Sequence, residues 1–122
     1  MVQSFRDLLV WQRAIQLTVQ IYELTRAFPR EEIYGLTSQM RRSAVSIPSN
    51  IAEGTGRSGT AELKHFLSIA RASNCELQTQ LIIARELSFG DKDRITVAED
   101  LTHEVGKMIF AMAQKLGKPG LS

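Results

Sequence analysis

Val10, Ala14, Leu17, Ile21, Leu24 and Phe28 fall at alternating steps of four and three residues. That spacing stacks six apolar side chains on one face of an α-helix, and no strand period fits it. The rhythm returns three more times along the chain. A second seam is Ile33, Leu36, Met40, Ala44, Ile47 and Ile51. A third is Leu63, Phe66, Ala70, Ser73, Leu77, Leu81, Ala84 and Leu87. A fourth is Ile95, Ala98, Leu101, Val105, Met108 or Ile109, Met112 and Leu116. Four amphipathic helices, each with one stripe to bury, predict an all-α bundle.

Helix-terminal residues separate the seams. Ser4 can cap a first helix over Phe5 to Ala27, with Asp7 three residues on. Phe28-Pro29 ends it, because proline disfavours helical geometry in the residue before it. Pro29 also suits the first turn of the next helix, whose positive end Glu31 and Glu32 complement. The second seam runs through Pro48, which removes a hydrogen bond to the Ala44 carbonyl and crowds it. A proline-kinked second helix ending near Glu53-Gly54 is therefore expected. Gly54 to Gly59 reads as a loop and Thr60 as the cap of helix three, with Glu62 in its first turn. Phe89-Gly90 terminates helix three, Asp91 and Asp93 open helix four, and Gly117 with Pro119 stops it. The tail from Lys118 to Ser122 is expected to fray. Short connections force successive helices antiparallel, giving an up-down-up-down bundle. The 122 residues suit one domain, 1–122, and 43% hydrophobic residues supply its core.

Several function classes lose ground on composition. Cys75 is the one cysteine, so no intrachain disulfide can form and a reducing compartment is expected. Met1 to Gln12 carry Arg6 and Asp7 and lack the apolar core of a signal peptide. The longest apolar runs, such as Met108 to Ala113, are too short to span a membrane. A cytoplasmic location follows as the expectation. The net charge of +2 permits nucleic-acid binding without demanding it.

Gly54-Thr55-Gly56-Arg57-Ser58-Gly59 matches the dinucleotide fingerprint G-x-G-x-x-G in letters. That motif needs a preceding strand, and this one follows a helix, so an interhelix turn is expected. Glu62 and His65 form a Glu-x-x-His, and Asp100 with His103 nearly repeats it. Di-iron bundles aim such pairs inward at mid-bundle, whereas these residues flank their seams, and helices one and two offer no seam carboxylate. A di-iron-type metal protein is thus a remote alternative. Cys75 has no His or Asp partner nearby in sequence and reads as a small core or interface residue. Ser43, Ser46 and Ser49 read as backbone-bonding residues that ease the kink. No catalytic residue, metal ligand or cofactor is assigned, and the chain is not expected to be an enzyme.

Two features point to binding. Arg41, Arg42, Arg57, Arg71 and Arg85 are candidate phosphate contacts, although Arg41 or Arg42 could instead pair with Glu76 or Glu53. Trp11, Ile15 and Tyr22 form a second apolar stripe beside the first seam, opposite the wet stripe of Arg13, Gln16, Gln20 and Glu23. One bundle core does not need both apolar stripes, so Trp11, Ile15 and Tyr22 are candidate oligomer contacts.

Five segments carry a likeness: FRDLLVWQRA from Phe5, FPREEIYGL from Phe28, QMRRSAVSIPSNIAEG from Gln39, FLSIA from Phe66 and ELQTQLIIA from Glu76. They resemble the four helix bundle protein family, whose members include proteins encoded in intervening sequences of bacterial large-subunit ribosomal RNA genes. The accessory variability determinants of diversity-generating retroelements look like relatives. The likeness spans nearly the whole chain and loosens from Asp91 onward. It implies a homopentamer, and the retroelement relatives imply contact with RNA and a reverse transcriptase through basic surfaces. No catalytic residue carries over. The expected function is a non-catalytic, homo-oligomeric scaffold for RNA or a nucleic-acid-handling protein. The alternative is a protein–protein adaptor that touches no nucleic acid.

Overall fold

The computed structural model describes residues 4–117. It is a four-helix bundle: α1 covers Leu9–Thr25, α2 Leu36–Thr55, α3 Thr60–Glu86 and α4 Lys92–Gly117. Each helix packs against its chain neighbours, and α1 closes the ring against α4. Pairs between α2 and α3 run in opposite senses of the chain: Ser43 meets Glu76, Ser46 meets Ser73, and Gly54 meets Phe66. Between α3 and α4, Arg85 meets Glu99 and Asn74 meets Thr102. No helix among the described residues is long and apolar enough to cross a membrane.

The first seam is buried in full, from Val10 to Phe28. In α2 the residues Leu36, Met40, Ala44, Ile47 and Ile51 are buried, and Pro48 is buried with them inside one continuous helix. The carbonyl of Ala44, which Pro48 deprives of its helical donor, accepts instead from the Thr18 hydroxyl of α1 at 3.1 Å. Of the Met108 or Ile109 pair, Ile109 is the core residue.

Five expectations need correcting. Thr60 does not cap α3 but is its first residue, after Gly59 and with no side-chain cap. Ser4 caps a separate 3-10 turn, Phe5–Asp7, and not α1: its hydroxyl accepts from the Arg6 N–H, and extended Leu8 divides turn from helix. Phe5 anchors that turn edge-on against Trp11, with centroids 5.2 Å apart. The second helix begins later than Pro29, because Arg30–Glu32 form only a 3-10 turn. Glu32 Oε1 then accepts from the Leu36 N–H at 3.0 Å, so this carboxylate does the work of a cap, and Ile33 is left 47% exposed. In α3 the deepest lower residue is Leu67, Phe66 being half-buried, while Leu87 at the far end is exposed. Finally, Ser43 and Ser46 bond across to α3, not to their own backbone: Ser43 donates to Glu76, and Ser46 pairs with Ser73 at 2.8 Å. Pro119 and the tail from Lys118 to Ser122 lie outside the described residues.

Two glycines are dictated by space. At Gly54 a Cβ would come within 2.9 Å of Phe66 Cβ, so this residue sets how closely α2 approaches α3. Gly90 has φ +75° in the α3–α4 turn, and a Cβ there would meet Leu24 and Phe28 at 2.8 and 2.9 Å.

Candidate functional site

The second stripe of α1 stands beside α2. Ile15 and Tyr22 are exposed, Trp11 is half-buried, and Val19 and Val45 add further exposed apolar surface. Between the two helices lies an open groove of about 360 Å³, walled by Trp11, Ile15, Thr18, Val45, Pro48, Ser49 and Ala52. Apart from Thr18 and Ser49 its walls are apolar. The ring of Tyr22 carries the Arg41 guanidinium on its face, 4.7 Å from the centroid.

The five candidate arginines do not converge on one patch. Arg41 lies between α1 and α2, where its Nε donates to Thr25 Oγ1 at 2.9 Å. Arg57 stands in the α2–α3 loop, 3.6 Å from Glu53, 3.8 Å from Glu62 and over the Phe66 ring. Arg85 donates to Glu99 at 2.7 Å and to Thr96 at 3.0 Å. That bond to Glu99 holds the Arg85 guanidinium above its ordinary pKa, against a lesser desolvation effect. Arg42 is exposed on α2. Arg71 lies over the Phe110 ring at 5.7 Å, between α3 and α4. The expected pairing of Arg41 or Arg42 with Glu76 or Glu53 does not form, because Ser43 takes Glu76 and Arg57 takes Glu53.

Two basic pockets emerge that the linear sequence did not reveal. One, of about 390 Å³, gathers Arg26, Arg30 and Arg41 around Thr25, Phe28, Pro29, Ile33 and Thr37. Arg26 is already 3.4 Å from Glu23. The other, of about 300 Å³, lies in the α3–α4 groove and collects Arg71, His103 and Lys107 with Asn74, Cys75, Gln78, Gly106 and Phe110. No carboxylate lines either pocket. The nearest sequence signal for the second is the step of four and three through His103, Lys107 and Phe110. It becomes meaningful only once α3 is known to lie alongside. Cys75 is exposed here, which excludes the core half of the core-or-interface role expected of it.

Asn74 is the floor of that second pocket, at 2% exposure. Its Nδ2 donates to the Thr102 carbonyl at 2.9 Å, and that partner fixes the amide orientation, because only the nitrogen can face a carbonyl. Oδ1 is then buried with no donor among the described residues. An orphaned acceptor of this kind costs about 1–3 kcal/mol. Gly106 opposes it, and a Cβ there would come within 3.2 Å of Nδ2.

The groups of the metal alternative are dispersed. Glu62 faces Arg57, His65 packs edge-on to Phe66, and His103 lines the α3–α4 groove. Among the described residues no group of three or more His, Cys, Asp or Glu side chains is placed to hold a metal ion. The G-x-G-x-x-G letters fall across the end of α2 and the loop into α3, and Gly54 there faces Phe66 and Leu63.

The family described as 23S rRNA-intervening sequence protein matches residues 6–111. Among solved structures, a protein of unknown function from the S23 ribosomal protein family of Bacteroides thetaiotaomicron superposes with a TM-score of 0.78. It is 18% identical, and the alignment covers 87% of this chain and 99% of that one. The likeness is one of fold. No curated protein matches the chain.

Proposed function

Because the chain belongs to the 23S rRNA-intervening sequence protein family, we propose that it is a non-catalytic, homo-oligomeric scaffold that binds RNA or a nucleic-acid-handling protein in the cytoplasm. The observation that carries this reading is the open apolar strip of α1, from Trp11 through Ile15 to Tyr22, continued on α2 by Val45. Contiguous apolar surface of this kind is rarely left in water by a monomer. Trp and Tyr are also the residue types that anchor interfaces, each able to bury about 150–250 Å². A pentamer, expected from the family resemblance, needs a heterologous contact in which this strip meets a different face of the next copy. Light scattering coupled to gel filtration tests the assembly. A mass of one chain, 13.7 kDa, at micromolar concentration would refute it.

The RNA contact, on this reading, is electrostatic and weakly sequence-specific. Arginines without a recognition helix meet phosphates, so affinity falls steeply with salt. A second reading, an adaptor that touches no nucleic acid, draws support from the engagement of Arg57 and Arg85 by carboxylates. Titration of unrelated RNAs at two ionic strengths separates the two: the adaptor shows no binding at either.

A further inference from the structure

We propose that the α3–α4 groove is a binding site for single-stranded RNA, with Phe110 as the platform for an unstacked base and Lys107 and Arg71 as phosphate contacts. The inference rests on the RNA-binding reading above and gives it a place and a substrate class. Three observations support it.

The first is charge. Arg71, Lys107 and His103 line the groove, and no carboxylate does. Two nearby carboxylates of α4 are neutralised elsewhere: Glu99 by Arg85 and Glu104 by Arg13 at 2.8 Å. Arg71 thus lines the groove with no carboxylate partner among the described residues, and its guanidinium rests on the Phe110 ring.

The second is an aromatic face in the same place. Phe110 is 49% exposed on α4, outside the core, and Arg71 already lies over its ring. A cationic groove interleaved with an exposed aromatic is the arrangement that tracks a single strand, since every base presents a π-face. A duplex keeps its bases stacked on each other and cannot use such a platform.

The third is size. About 300 Å³ is at the small end for ligand sites and suits one nucleotide of a longer strand.

The test is fluorescence anisotropy with labelled oligoadenylate and oligouridylate, against a duplex of the same length, using the full chain. Wild type should bind the single strands more tightly than the duplex. Phe110→Leu keeps apolar bulk but loses the π-face, and should weaken binding about fivefold or more, whereas Phe110→Tyr should retain it. Lys107→Ala should lower the dependence of log affinity on log salt by about one. Wild-type binding of RNA left unchanged by Phe110→Leu and by Lys107→Ala would overturn the groove and leave RNA binding on another face. Absence of RNA binding by wild type even at low salt would overturn the RNA reading itself. Adenosine monophosphate binding alone as tightly as the oligonucleotide would also overturn the proposal, since the site would then take a free nucleotide.

Discussion

The Thr18 hydroxyl donates across the α1–α2 interface to the carbonyl of Ala44, the one group in α2 that Pro48 leaves without its helical donor. The same hydroxyl also reaches the Ala14 carbonyl of its own helix at the shorter distance of 2.8 Å, so its one proton is shared between the two acceptors. Thr18→Val should therefore cost toward the lower end of about 1–3 kcal/mol in urea unfolding, because a part-buried carbonyl loses its partner. In a Pro48→Ala background the restored N–H of residue 48 supplies that donor, and the same substitution should cost little. Equal costs in the two backgrounds would show that Thr18 and Pro48 are not coupled.

Gly54→Ala should destabilise the protein by about 1–3 kcal/mol, the usual cost of overpacking. The added methyl would meet Phe66 Cβ at 2.9 Å and Leu63 Cδ1 at 3.1 Å, and Phe66 Cβ belongs to α3's rigid part. Because alanine keeps a Cβ, Phe66→Ala should relieve little of this clash, and the two costs should nearly add. Chemical denaturation of the four variants measures the coupling.

Ile15→Glu should lower the assembly mass without disturbing the fold, since Ile15 is 37% exposed beside the groove. Trp11→Ala with Tyr22→Ala should do the same, at an additional cost in stability because Trp11 packs on the core. An assembly of unchanged mass in both variants would move the contact surface elsewhere.

The ion pairs Arg13–Glu104 and Arg85–Glu99 tie α4 to α1 and α3 at 2.8 and 2.7 Å, with side chains about a third exposed. Double-mutant cycles to Met and Gln should return couplings under about 1 kcal/mol for each, shrinking in salt. Couplings several times larger would mean that solvent screens these sites less than their exposure implies.

What could be read from the sequence was what burial alone dictates. Val10 to Phe28 repeat every three or four residues because each must leave water, and one helix suffices to show it. The errors in α3 have a geometric cause. An α-helix drifts about 20° per heptad against a strict seam. Over the span from Leu63 to Glu86 the buried face rotates, so Leu67 is buried where Phe66 was expected, and Leu87 is exposed because it lies past the end of the helix. The start of α2 was obscured by Glu32, a carboxylate that reaches forward to Leu36 where a cap would normally be sought at residue 35. The α3–α4 pocket was hidden for a different reason. Arg71 and Phe110 are 39 positions apart in sequence and meet only through the order in which the helices pack.

Asn74 also fixes alignment. A slide of α4 along α3 by one helical turn, about 5.4 Å, would set leucines and alanines of the two seams against one another almost as well as before. It would also carry the Thr102 carbonyl out of reach and leave both ends of the buried amide without partners. One polar side chain among aliphatic ones thus acts as a detent: it contributes little to holding the helices together and a great deal to where along each other they stop.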